Sequence, residues 1–234
     1  MPFSFRPTLW PTLFTVPALA VLVALGTWQL HRLEWKQDLI DKLQSRSVAS
    51  PVAPPAASAD LDAFEFHRVQ VSGRFRHDRE LYLIGRALSG TPGLHILTPL
   101  VPDDGTPPIL IDRGWVPFEG REPATRPGGQ VDGSVAVDGI VRLQKNKGYF
   151  VPDNDPVKNT WYFVDIPAMS KVAGVDLRPG YYIVADAAAL PGGFPKGGQW
   201  RLDLRNDHLE YALTWYSLAF ALLVIYILYH SRRS

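Results

Sequence analysis

The residues best placed to do chemistry in this 234-residue chain lie at its two apolar ends. Asn206-Asp207-His208-Leu209-Glu210 opens the C-terminal apolar stretch with a helix-start pattern: Asp207 suits the N-cap, and Glu210 three residues later completes a capping box. His208 then falls in the first turn, where a neutral imidazole could ligate a haem iron; the plainer reading is an interfacial histidine wetted by headgroups or hydrogen-bonded to the first helix. The helix N-terminus disfavours the imidazolium, while Asp207 and Glu210 favour it. Tyr211, Trp215, Leu218/Ala219 and Leu222 follow His208 on one helical face by their i+3, i+7, i+10/i+11 and i+14 offsets. Tyr211, Trp215 and Tyr216, with Trp28 from the other end, offer flat apolar surfaces to a macrocycle, although interfacial aromatic belts use the same residue types structurally. His31 closes the N-terminal stretch, so a bis-histidine site is conceivable if the two ends pack as a hairpin; a lone boundary histidine is the plainer reading. Arg32, Lys36 and Arg205 could pair with haem propionates or grip lipid phosphates.

Elsewhere the chemistry thins out. No His-Glu-x-x-His, G-x-S-x-G, phosphate-cradling or dinucleotide-binding pattern occurs, and His67, His77, His95 and His230 lack metal-ligand spacing. These absences point away from an enzyme. The chain has no cysteine, which removes disulfides and thiolate sites, and its two methionines, Met1 and Met169, make a copper carrier a poor fit. With 24 Lys+Arg against 23 Asp+Glu and no basic block, nothing marks a nucleic-acid surface.

Pro7–Leu30 and Tyr211–Tyr229 contain no Asp, Glu, Lys or Arg over 24 and 19 residues, and about 20 apolar residues cross a bilayer as a helix. Membrane lipid is therefore a partner of both ends. The charges that flank the two spans on the side of the termini, Arg6, Arg232 and Arg233, are all basic. Short basic flanks stay cytoplasmic whereas long domains translocate, so both termini are expected in the cytoplasm and the middle of the chain outside. The N-terminal run is too long for a signal peptide and lacks its cleavage site, and too few residues precede it for a transit peptide. A bacterial inner membrane is the simplest home, with the central domain periplasmic.

The expected organisation is a span over 8–30 with a helical extension to about 46, and an Ala/Pro linker over 47–60. A β-rich domain over 61–200 follows, and a second span over 208–229. Strand patterns occur at His67–Phe75, Glu80–Gly85, Leu94–Leu100, Pro108–Val116, Ser134–Leu143, Thr160–Asp165 and Tyr181–Ala185, with one short helix over Ile166–Ala173. Ile109-Leu110-Ile111 is a continuous apolar run, as in a central strand. The fold class is thus a membrane protein whose two transmembrane α-helices flank a mainly-β (α+β) extracytoplasmic domain, an antiparallel barrel or sandwich. Asp112-Arg113-Gly114-Trp115-Val116-Pro117 reads as strand-and-turn architecture, and Lys145–Gly148 as a solvated turn.

Three motifs in order, Gly26-x-Trp28-Gln29-x-x-Arg32-x-x-Trp35-Lys36, Asp112–Pro117 and Asn206–Tyr216, resemble the Surfeit locus protein 1 (Shy1) family. Asn146, Phe150-x-Pro152, Asn154-x-Pro156 and Trp161 with Asp165 add to the likeness. The resemblance implies a factor that assists assembly of haem–copper cytochrome c oxidase, with the oxidase catalytic subunit and other assembly factors as partners. It further implies haem a as cofactor, with His208 matching the family's ligand histidine; His31 occupies a variable position of its motif. Two rival readings stand beside it: a scaffold of the same family that holds nascent oxidase subunits without haem, and a membrane-tethered enzyme or small-molecule receptor.

Overall fold

The structure, a computed structural model, describes residues 7–56, 59–200 and 206–231. Arg6, Arg205, Arg232 and Arg233 lie outside these residues. Two compact units emerge, one from residues up to 44 and from 203 onward, the other from residues 45–202.

The first unit is a helix pair. Helix α1 spans Leu9–Val48 and helix α4 spans His208–Ser231, and each contains an 18-residue window of mean hydropathy 1.9. Their apolar side chains stay largely uncovered: Trp10, Phe14, Phe220 and Ile225 are each more than 60% exposed. A soluble protein does not leave so much contiguous apolar surface in water, so these faces belong to lipid. Pro17 stands inside α1, which membrane helices tolerate.

The second unit is a barrel. Its strands are β1 (Arg68–Phe75), β2 (Leu81–Leu88), β3 (Thr91–Pro102), β4 (Ile109–Pro117), β5 (Ser134–Leu143), β6 (Thr160–Trp161) and β7 (Tyr181–Ala185). Five of them, in the order β1-β5-β7-β4-β3, close on themselves because β3 also pairs with β1, from Gly73↔Pro102 to Phe75↔Leu100. The twelve-residue β3 makes closure possible by changing neighbours along one edge. Thr91–Leu97 pair with β2, which carries β6 outside the ring, and Leu100–Pro102 pair with β1. Barrel, not sandwich, is the outcome, and it is not wholly antiparallel: β4 pairs with β7, and β2 with β6, in parallel.

The apolar run Ile109-Leu110-Ile111 is buried on both sides for a simple reason. Ile109 and Ile111 point into the barrel with Val69, Leu100, Val141 and Tyr181. Leu110 points out, into a second core beneath helix α3 (Ile166–Ala173), with Leu81, Leu97, Trp161 and Met169. Helix α3 has both expected ends: the Asp165 side chain accepts from Ala168 N–H at 3.1 Å, and Gly174 closes it at φ 63°.

Two expectations are reshaped. The strand expected over Thr160–Asp165 stops at Trp161 because Asn154 Oδ1 takes the N–H groups of Tyr162 (2.8 Å) and Phe163 (3.3 Å), a side chain replacing the ladder. The Ala/Pro stretch is held, not loose. Helix α1 runs to Val48, Val52 bridges Val69, and Pro55 O accepts from Arg178 (3.0 Å) and Tyr181 (3.1 Å). A short turn of helix, α2 (Leu61–Phe64), then lays Leu61 and Phe64 against the barrel core.

Between the pairs His95↔Trp115 and Leu97↔Asp112, β4 carries two residues, Arg113 and Gly114, against one on β3. This bulge turns β4 at a point where Gly114 adopts φ 111° and a side chain would strike the backbone of Lys196. Gly85 also has positive φ (74°) but faces open space. Gly114→Ala should therefore cost more than Gly85→Ala, roughly 2 kcal/mol or more against about 1. Thermal unfolding of the detergent-solubilised protein, with Gly114→Ala the lower Tm, checks this.

Candidate functional site

Within the helix pair, four polar contacts join the two ends of the chain among the described residues. Thr8 Oγ1 stands 3.0 Å from His230 Nε2 and Thr12 Oγ1 2.6 Å from Tyr226 OH. At the other end, Thr27 Oγ1 lies 3.0 Å from Tyr216 OH, and His208 Nδ1 lies 2.7 Å from Gln29 Oε1. Between these contacts Gly26, Ala212 and Ala219 are buried. At Gly26 even a methyl group would stand 2.9 Å from the Tyr216 ring.

These contacts fix which faces meet. At about 100° per residue, Thr27 and Tyr216 border one edge of the helix–helix contact, while Gln29 and His208 lie toward the other. Tyr211, Trp215 and Leu222 share that second edge on α4, and Arg32 lies one turn beyond Gln29 on α1. His31 is two residues from Gln29, about 200° around the helix, and is exposed. The structure thus brings His208 to Gln29 and not to His31. Trp28 is 56% exposed and Tyr211 57%. Trp215 is half-buried. Arg32 is exposed, its guanidinium 3.9 Å above the Trp35 ring.

At His208 the geometry commits one ring nitrogen. With Gln29 Oε1 as the acceptor, Nδ1 would be the ring nitrogen that carries the hydrogen. Nε2 forms no hydrogen bond among the described residues and keeps its lone pair, which is the donor a haem iron or other soft Lewis acid takes. The helix begins at His208 itself, with Asp207 O accepting from Tyr211 N–H at 3.3 Å.

The barrel holds a second polar constellation, built by the Asp112–Pro117 motif. Asp112 Oδ2 accepts from His95 Nδ1 at 2.8 Å and its Oδ1 from Gly114 N–H at 3.0 Å, so one carboxylate supports the bulge on both sides. The bulge sends Arg113 to Glu80, whose side chain is 1% exposed. Arg126 grips both Glu80 oxygens, Arg113 Nη1 lies 3.5 Å from Oε1, Gln130 Nε2 donates at 3.3 Å, and His77 Nδ1 stands 3.8 Å away. Arg113 also donates to Gly129 O. Burial pushes the Glu80 carboxyl up, but the bonds from His77, Arg126 and Gln130 and the charge of Arg126 outweigh it, leaving it below its ordinary value. Burial lowers Arg113 to about 10, against the pull of Glu80 and together with the push of Arg126, so it remains a cation at neutral pH. This cluster joins Glu80, just before β2, to β4 and to the 121–130 segment.

A family model described as the SURF1 family matches residues 16–220, through both helices and the barrel. The chain belongs to the SURF1 family. It is 42% identical over 223 residues to Surfeit locus protein 1 of Mus musculus, covering 89% of this chain and 71% of that protein. Against Surfeit locus protein 1 of Homo sapiens it is 38% identical over 224 residues, 89% and 73% of the two chains. Against that of Takifugu rubripes it is 38% identical over 218 residues, 86% and 89%.

Read on this SURF1 chain, the three motifs take different positions. The first supplies Gly26 and Gln29 to the helix contact, the third supplies His208, Ala212 and Tyr216, and the middle motif builds the β4 bulge and its ionic cluster. Gln29 and Tyr216 were not assigned the contacting roles from sequence. Their signal was available in the helical spacing from Gly26, but only once α4 supplied a partner. Glu80 had no signal at all, since its strongest partner, Arg126, is 46 residues away.

Removing the Glu80 charge would leave two buried guanidinium groups without their carboxylate, so Glu80→Gln should destabilise the protein by about 3–5 kcal/mol. Because the folded state holds this carboxyl below its ordinary 4.5, its contribution is complete above that pH and is lost as pH falls toward the depressed value. Acid unfolding of the wild-type protein should show this loss below pH 4.5, and the Glu80→Gln variant should show a shallower acid dependence in the same range.

Proposed function

We propose that this protein is an integral-membrane assembly factor for haem–copper cytochrome c oxidase and holds haem a at the Gln29–His208 end of its helix pair. The observation that carries the reading is the 2.7 Å contact of His208 Nδ1 with Gln29 Oε1, which leaves Nε2 without a hydrogen bond among the described residues. Family membership supplies the class of task, and the residues fit the group. His208 would furnish an axial ligand, Tyr211 and Trp215 on the same edge of α4 would lie along the macrocycle, and exposed Arg32 would meet a propionate. When bound, haem a would supply an iron able to accept one imidazole.

The protein's own part is binding and positioning. Helix α4 places His208 at its first turn, α1 orients it, and the exposed apolar faces keep the pair in lipid. On this reading the barrel docks on the oxidase catalytic subunit or on other assembly factors. The basic flanks Arg6, Arg232 and Arg233 support cytoplasmic termini and a periplasmic barrel in a bacterial inner membrane.

The decisive experiment is His208→Ala, purified in detergent from cells that make haem a. Loss of the bound haem spectrum, with unchanged membrane yield and with wild-type co-isolation of the oxidase subunit, is the expected result. Haem occupancy and spectrum identical to wild type would remove His208 as ligand. Wild-type protein free of haem, yet still co-isolating with the subunit, would establish the scaffold reading instead.

A further inference from the structure

Gln29 has no assigned task, yet among the described residues it makes the one hydrogen bond to the His208 ring, across the two helices and 179 residues of chain. A glutamine withdrawn from water needs partners, and at this end of the pair its amide oxygen finds the imidazole N–H at 2.7 Å. Two neighbouring features hold it there. Thr27 Oγ1 meets Tyr216 OH on the opposite edge of the contact at 3.0 Å, and Gly26 admits the Tyr216 ring, so the axial register of α1 against α4 is set within three residues of Gln29. The register brings one acceptor, at one height, to one nitrogen.

We infer that Gln29 is the positioning residue for His208: its amide oxygen selects the Nδ1–H tautomer and the ring orientation, and thereby keeps the Nε2 lone pair available to a metal centre. An imidazole side chain in water prefers the other tautomer, with hydrogen on Nε2, which cannot coordinate through that nitrogen without first losing the proton. A fixed acceptor at Nδ1 reverses the preference before any ligand arrives. It also makes the imidazole a stronger donor once coordinated, since the shared hydrogen leaves more electron density on the ring. This inference deepens the reading of His208 as an axial ligand and rests on it for its consequence, but its first step, the tautomer, does not involve haem.

The test therefore has two arms on the full chain in detergent. In haem-free protein carrying ¹⁵N-histidine, the His208 signals are identified by their disappearance in His208→Ala, and their shifts and proton couplings report the tautomer. Wild type should show Nδ1–H and a bare Nε2. Gln29→Leu should move His208 to Nε2–H or a mixture, and Gln29→Glu should restore Nδ1–H. An Nε2–H tautomer in wild type, or no change in Gln29→Leu, overturns the inference whatever haem does. In the second arm, haem a is titrated into each variant and its optical spectrum and midpoint potential are recorded. Gln29→Leu should bind roughly 10- to 100-fold more weakly, the usual effect of losing such a partner, with a raised potential. Gln29→Glu should recover affinity and lower the potential. If His208→Ala binds haem as wild type does, the ligand reading fails while the tautomer result stands. If His208→Ala loses haem but Gln29→Leu keeps both affinity and potential, the positioning role fails and the ligand reading stands.

Discussion

A polar group taken out of water must find its partner inside the chain, and that constraint shapes both units of this protein. In the helix pair it acts against hydrocarbon, where no solvent can substitute. Thr8, just before α1, and Thr12, Thr27 and Gln29 on it meet His230, Tyr226, Tyr216 and His208 on α4, respectively. Such contacts in membranes contribute only about 0.6 kcal/mol each on average, so their value lies less in stability than in register. Apolar side chains alone would let two helices slide and rotate; four separated polar pairs permit one alignment. In the barrel the same constraint acts on charge. The bulge at Arg113–Gly114 is affordable because Asp112 and Glu80 receive what it displaces.

How much of this the sequence discloses depends on the distance over which the cause acts. The spans are legible because hydrocarbon thickness dictates their length and composition locally. Helix α3 is legible at both ends because Asp165 and Gly174 act within a turn. Ile109–Ile111 is legible because burial on both faces leaves an unbroken apolar run. Closure of the barrel is not, because it rests on β3 being long enough to change neighbours, and nothing in the alternation of Thr91–Pro102 says which strand lies opposite. The premature end of β6 is hidden similarly, since it follows from a side chain, Asn154, competing for backbone N–H groups eight residues away.

The candidate site divides along the same line. His208 can be singled out by position, as a histidine in the first turn of an apolar helix. Its partner cannot, because His31 and Gln29 sit two residues apart and equally near the membrane boundary. Only the rotation of α1 about its axis separates them, and that rotation is set by Gly26, the one position where α4 can press an aromatic ring against the backbone. Reactive type favours His31, whereas packing favours Gln29. Packing wins, since turning α1 far enough to present His31 would drive Trp28 or Arg32 toward the space that Tyr216 fills.

The same packing limits where a flat ligand can lie. Gln29 and His208 in direct contact at 2.7 Å and the Tyr216 ring against Gly26 leave no room for a macrocycle between the helices at this end of the pair. On the proposed reading, Tyr211 and Trp215, on the edge of α4 that His208 shares, would line the group that His208 holds. That placement makes sense of a boundary histidine that is only partly buried. On the proposed reading, such an open edge would let a bound group leave sideways without the two helices having to part.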